Sequence, residues 1–220
     1  MPDSSYFETA QPIRPQPPTA RQPPSPNNVT YALIAINALV FLAMVATGVS
    51  FTSPRPIDVY RWGGDFGPAT VGANQWWRLL TSTFVHFGII HIGFNMYVLY
   101  RIGPFIEQVF GRARYLGIYF IAGLAGSLVS VWVHPNAVGA GASGAIFGLY
   151  GAVFGFLLTH RRTLDPAATS SIAKSAGIFV LYNVVLGSMS GTTDLSAHIG
   201  GLIAGFLAGL LLVRPRAAIG

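Results

Sequence analysis

Polar and apolar residues in this chain fall into long blocks rather than a short alternation. Apolar runs cover about Asn28 to Val49, Phe87 to Phe105, Tyr115 to Val133, Ser143 to Leu158, Ala173 to Met189 and Ser196 to Val213. Each approaches the ~20 residues with which an α-helix crosses a hydrocarbon core of about 30 Å. The pattern predicts an all-α membrane protein, a bundle of six transmembrane helices spanning residues 28–214. Two stretches depart from it. Residues 1–27 carry Pro12, Pro15, Pro17, Pro18, Pro23, Pro24 and Pro26 among polar residues, a density that builds neither helix nor core and predicts a disordered tail. Ser50 to Thr83 holds Trp62, Trp76 and Trp77 among glycines and charges. Tryptophan favours the headgroup zone, so this first loop is expected to lie partly in the membrane interface.

Composition agrees: 52% of residues are hydrophobic and only 9% charged, which excludes a soluble domain. The absence of cysteine removes disulfides and thiol chemistry. A net charge of +6 raises nucleic acid as a partner, but the basic residues stand singly or in pairs at the ends of apolar runs, where membrane topology accounts for them. Ten of the thirteen lie on one side of a six-span arrangement, leaving only Arg55, Arg61 and Arg78 on the other. The positive-inside rule then puts both termini, including the short tail 215–220, in the cytoplasm. The long lead before Asn28 points to a retained helix rather than a removed leader. A bacterial inner membrane is the expected location.

In that topology the second, fourth and sixth runs descend from the outer face, and their first turns hold the polar residues that need a reason. The second carries His91 and Asn95, four apart and on one helical face; the fourth begins at Ser143; the sixth carries His198. Such residues are costly in a membrane helix unless they face a polar cavity or one another. Ser143 lies in Gly139-Ala140-Gly141-Ala142-Ser143-Gly144, whose small side chains leave its hydroxyl open to approach. Gly144, Gly148, Gly151 and Gly155 line one face of the fourth run, and Gly201, Gly205 and Gly209 one face of the sixth; such faces let helix backbones come close. If the two faces meet, Ser143 and His198 come within reach.

Together, Gly141-Ala142-Ser143-Gly144, Ala197-His198 followed by Gly201 and Gly205, His91-x-x-x-Asn95, Trp77-Arg78 and Glu107-x-x-x-Gly111 resemble the rhomboid intramembrane serine proteases over about Val29 to Val213. The resemblance implies a catalytic dyad of Ser143 and His198, and an oxyanion site of His91 and Asn95 with Gly141 beside them. It also implies Phe147 as an aromatic ring against His198, Gly201 in a supporting role, and transmembrane proteins as substrates. No cofactor, metal or nucleic acid is expected.

The chemistry follows from the residue types. An imidazole takes the serine proton as the oxygen attacks a carbonyl, and preorganised donors hold the oxyanion. Asp194, one turn before His198, is expected to cap the sixth helix rather than complete a triad, because a carboxylate beside a membrane site is costly. His86, His134 and His160 are expected at interfaces, Glu107 with Arg112 in a helix-end contact, and Trp77 and Arg78 in seating the first loop. A zinc protease lacks His-Glu-x-x-His, and an aspartyl protease lacks paired intramembrane aspartates. A transporter would set polar residues along a through-path, whereas here they gather near one face. The fifth helix and the loop from Ser190 to Leu195 are expected to form a movable gate.

Overall fold

A computed structural model describes residues 28–190 and 193–212. The proline-rich tail, the C-terminal tail and part of the Ser190 to Leu195 loop lie outside the described residues. The α-helices of the described chain are α1 Asn28–Ala46, α2 Pro56–Arg61, α3 Arg78–Thr81, α4 Ile89–Phe110, α5 Arg112–Val133, α6 Ser143–His160, α7 Pro166–Ser190 and α8 Leu195–Leu212. Helices α1, α4, α5, α6 and α8 are long and apolar enough to span a membrane. That gives five such spans where the apolar runs predicted six. The fifth run lies in α7, which has 25 residues but carries Ser170, Ser171, Lys174, Ser175 and Asn183 and is not among the five.

Helix α4 also runs past Pro104, close to where its apolar run ends, and continues to Phe110. The proline's missing N–H interrupts one backbone bond, which a membrane helix tolerates when neighbours pack around it. Gly103 lies there against Thr30 and Tyr115 with no room for a side chain. Gly111, at φ 76°, then turns the chain in a single residue from α4 into α5.

Helix α6 is the centre of the bundle, with 67% of its span buried against 28% for α1. Its glycine face meets that of α8. A methyl group added at Gly201 would fall on the Gly144 carbonyl oxygen, one at Gly205 on the Gly148 carbonyl, and one at Gly209 on Ala152. Without side chains between them the two backbones touch, and dispersion over the whole face replaces the hydrophobic drive that lipid cannot supply. The main core lies between α4, α5 and α6, around Leu99, Ile106, Ile118, Tyr119, Ile146 and Leu149. A smaller cluster of Met44, Val59 and Val85 fastens the first loop to the C-terminal end of α1.

Glu107 reaches further than a helix-end contact. Buried on α4, its carboxylate accepts hydrogen bonds from the Val29 and Thr30 backbone N–H groups at 3.1 and 3.0 Å and from the Thr30 hydroxyl at 3.0 Å, with the Arg112 guanidinium 3.6 Å away. One side chain thus caps the first turn of α1 from another helix.

Candidate active site

The first loop is folded rather than slack, and Arg78 is the reason. Arg78 is 6% exposed. It donates to the Tyr60 and Gly64 carbonyls at 2.7 and 2.9 Å and to Gln75 Oε1 at 2.6 Å, and lies over the Tyr60 and Trp77 rings. Such fixed, planar donors knit three chain segments together. Trp76 and Trp77 remain about half exposed, as an interfacial position requires.

This loop holds the segment leading to Ser143. Asp65 and Gly139 exchange backbone hydrogen bonds at 2.9 and 3.0 Å, the Gly67 N–H reaches the Pro135 carbonyl, and the Gly141 N–H donates to the Ser82 carbonyl at 2.9 Å. Gly141 sits at φ 133°, a conformation that disfavours any side chain, and a methyl group there would strike the His91 ring. Helix α6 then opens at Ser143, where Ala142 offers no side-chain cap. The first amide hydrogens of the helix therefore face the site without intrahelical partners.

Two side chains from α4 reach the same spot. His91 Nδ1 accepts the Phe87 N–H at 3.4 Å, which fixes the neutral ring with its proton on Nε2, the atom that lies against Gly141. Asn95 is 4% exposed, and its Nδ2 has no partner among the described residues. Two hydrogen-bond donors thus converge on Gly141, two residues before Ser143.

His198, one turn into α8, stacks on Phe147 with ring centroids 4.0 Å apart and planes 12° from parallel. The backbone at Ala197 and Gly201 lies on Gly144. His198 Nδ1 has no hydrogen-bond partner among the described residues. Asp194 does not supply one: its carboxylate accepts from the Ala197 N–H at 3.0 Å and from the Ser196 and Ser130 hydroxyls, the arrangement of a helix cap. Burial opposes its ionisation, but these donors outweigh burial and hold its carboxyl below the usual range. The orientation of His198 comes from an aromatic face, with no carboxylate behind it.

His86 corrects the expectation of an interface position. It is fully buried, its Nε2 accepts the Ala142 N–H at 3.4 Å, and its Nδ1 faces the Phe84 carbonyl at 3.2 Å. Burial, with His91 beside it, pushes the imidazole down to about 3, so it is neutral and carries its proton on Nδ1. His86 and His91, 5.1 Å apart, are held in opposite tautomers. No spacing rule marks His86, because its partner is a backbone N–H 56 residues away. His134 is exposed, and His160 bonds within the last turn of α6.

Asp65 and the serines of α5 were equally invisible. Behind Ser143 lies a cavity of about 30 Å³ lined by Asp65, Ser82, Ser127, Ser130 and Asp194, with room for a water molecule or two. The Ser82 and Ser127 hydroxyls bond at 3.0 Å. Asp65 is 2% exposed with one carboxylate oxygen unpartnered, and burial pushes its carboxyl up to about 6.

A helical bundle with a glycine-packed Ser/His helix pair and a folded interfacial loop defines a class of membrane protein, and comparison with known sequences agrees. The rhomboid domain profile matches residues 73–215. The chain is 35% identical to the rhomboid protease GluP of Bacillus subtilis over 188 residues, 86% of this chain and 35% of that protein. It is 36% identical to RHOMBOID-like protein 7 of Arabidopsis thaliana, covering 77% of this chain and 52% of that one, and 36% identical to RHOMBOID-like protein 2, covering 84% and 67%. The chain spans about a third of the length of GluP and about half that of RHOMBOID-like protein 7. It belongs to the rhomboid family and is an integral membrane protein.

Proposed function

We propose that this chain is an intramembrane serine endopeptidase that hydrolyses peptide bonds in or near transmembrane segments. Ser143 Oγ attacks the scissile carbonyl while His198 takes its proton, then returns it to the departing amine; water repeats the sequence on the acyl-enzyme. The Ser143 amide, the Asn95 Nδ2 donor and the His91 Nε2–H receive the oxyanion. The observation that carries this reading is the pair of side-chain donors, one of them buried and unpartnered, aimed at Gly141 beside a serine at a helix start. Unpaired donors cost stability, and an oxyanion is what repays it here.

A peptide bond in a helix is shielded by its own hydrogen bonds, so the substrate unwinds locally first, and segments with helix-weakening residues are favoured. Lateral access runs past α7, which meets α6 through side chains such as Phe179 on Tyr150; cross-linking α7 to α4 without slowing cleavage would reject that route. We place both termini in the cytoplasm of a bacterial inner membrane, which accessibility labelling of an introduced cysteine tests.

The deciding experiment uses purified protein and a labelled transmembrane substrate. Ser143→Ala and His198→Ala abolish cleavage and fluorophosphonate labelling; Asn95→Ala lowers kcat about 10²-fold, as loss of one oxyanion donor does. Asp194→Asn keeps most activity. Full cleavage by Ser143→Ala would end this reading.

A further inference from the structure

A groove of about 360 Å³ lies between α4, α6 and α7, beginning at Tyr150 about two turns along α6 from Ser143 and lying toward the end of the bundle that carries Arg112, Arg114, Arg161 and Arg162. Its walls are mixed: Arg101 on α4 and the Ser171 and Ser175 hydroxyls on α7 supply polar groups, and Ile102, Phe105 and Val153 an apolar floor. Arg101 stands out, because it is an arginine inside a span of the bundle. Ionisable residues in such spans are rare and paired. The two ion pairs among the described residues are Arg55 with Asp58 and Arg112 with Glu107. None of the five described acids lines the groove. At this end Glu107 is occupied by α1 and Asp165 by the Ala168 N–H.

Depth identifies what would complete it. Arg101 precedes Glu107 by six residues, about 9 Å along the helix axis, and Ser171 lies five residues, about 8 Å, into α7. An arginine side chain extends from that depth to the phosphate level of the nearer leaflet. A cation with two hydroxyls above an apolar channel matches a phosphate attached to hydrocarbon, at the basic end of the bundle where anionic lipid is drawn.

We propose that this groove binds an anionic phospholipid, its phosphate held by the Arg101 guanidinium and the Ser171 and Ser175 hydroxyls and an acyl chain lying over Ile102, Phe105 and Val153. The site is independent of the proteolytic reading. A bound lipid bridges α7 to α4, the two helices that otherwise scarcely touch.

Native mass spectrometry of the full chain released from nanodiscs of mixed phosphatidylglycerol and phosphatidylcholine tests this. The wild type retains phosphatidylglycerol about tenfold over phosphatidylcholine, as one charge-assisted contact supplies. R101Q falls to parity, and S175D, which offers Arg101 an internal carboxylate, does the same. The R161Q/R162Q double variant keeps the preference. Thermal unfolding confirms that each variant is folded, and S175D carries the test if R101Q is not. Retained preference in folded R101Q and S175D, or its loss in R161Q/R162Q alone, overturns the site. Displacement of phosphatidylglycerol by millimolar inorganic phosphate, or preferential Arg101-dependent capture of an acidic transmembrane peptide, overturns the lipid as its occupant.

Discussion

Helices α8 and α7 flank the same central helix and hold it in opposite ways. Between α6 and α8, glycines at Gly148, Gly201, Gly205 and Gly209 leave no space for one added carbon, so backbone rests on backbone. Between α6 and α7, the grip is made by side chains: Phe179 stacks on Tyr150 at 4.1 Å and tilts against Phe147 at 5.9 Å, and Ala176 packs into the same core, while Ile178, Leu181 and Tyr182 stay exposed. A backbone contact has one solution and does not slide; rings on flexible stems re-pack. The pair that carries Ser143 and His198, the dyad of the proposed mechanism, has the rigid joint. The wall along the proposed substrate route has the loose one. Phe147 belongs to both, since one face meets His198 and its edge meets Phe179.

The comparison breaks hardest at the rigid joint. Gly205→Val drives a side chain into the Gly148 carbonyl and should cost more than ~3 kcal/mol, with cleavage lost, read by reversible unfolding in detergent and by turnover. A tolerated valine would mean that the glycine face is not the joint. At the shared residue, Phe147→Leu keeps most of the volume but removes the ring that orients His198. Cleavage should fall about 10-fold or more, with stability changed by ~1 kcal/mol, and kcat carrying the loss rather than KM.

Asp65 sharpens the account of the pinned first loop. Its carboxyl is raised by burial from its ordinary value to about 6, with Asp194 in the same cavity acting in the same direction. The protonated form is therefore favoured by folding. Its contribution is fully present below pH ~4 and is lost as pH rises through ~6, on the order of 3 kcal/mol. Asp65→Asn should flatten that part of the stability profile between pH 4 and 7; an unchanged slope would place the titration elsewhere. His86, shifted the opposite way, contributes stability that falls as pH drops below ~6.5 toward ~3, and the difference between wild type and variant removes it. The smallest effect belongs to the loose joint. Phe179→Leu should lower stability by ~1 kcal/mol or less and leave kcat equal or higher, whereas a large loss of activity would show that α7 is part of the fixed frame.

Hydrophobic run length was enough to place α1, α4, α5, α6 and α8 to within a few residues, because a membrane span must be helical and must be long. The glycine spacing on α6 and α8 was legible for a related reason: in lipid, where apolar residues gain nothing by facing protein, small residues are what distinguish a packed face. For the same reason hydropathy could not rank the helices. Helix α1 is more apolar than α6, yet it is 28% buried where α6 is 67% buried. Ser143, His198, His91 and Asn95 stood out as polar groups where polarity is expensive. His86 and Asp65 did not, since each lies where a charge or an imidazole is unremarkable in sequence and gains its role from a backbone amide or a cavity brought to it by the fold; Glu107 showed as a motif residue, but its capping of α1 did not. The sequence by itself determined which helices form and which side chains must be sheltered from lipid. Only the tertiary structure decided which backbone atoms those side chains meet, which ring nitrogen carries the proton, and that the Asp194 cap also takes in the Ser130 hydroxyl of α5, because these depend on contacts between residues tens of positions apart that no local period records.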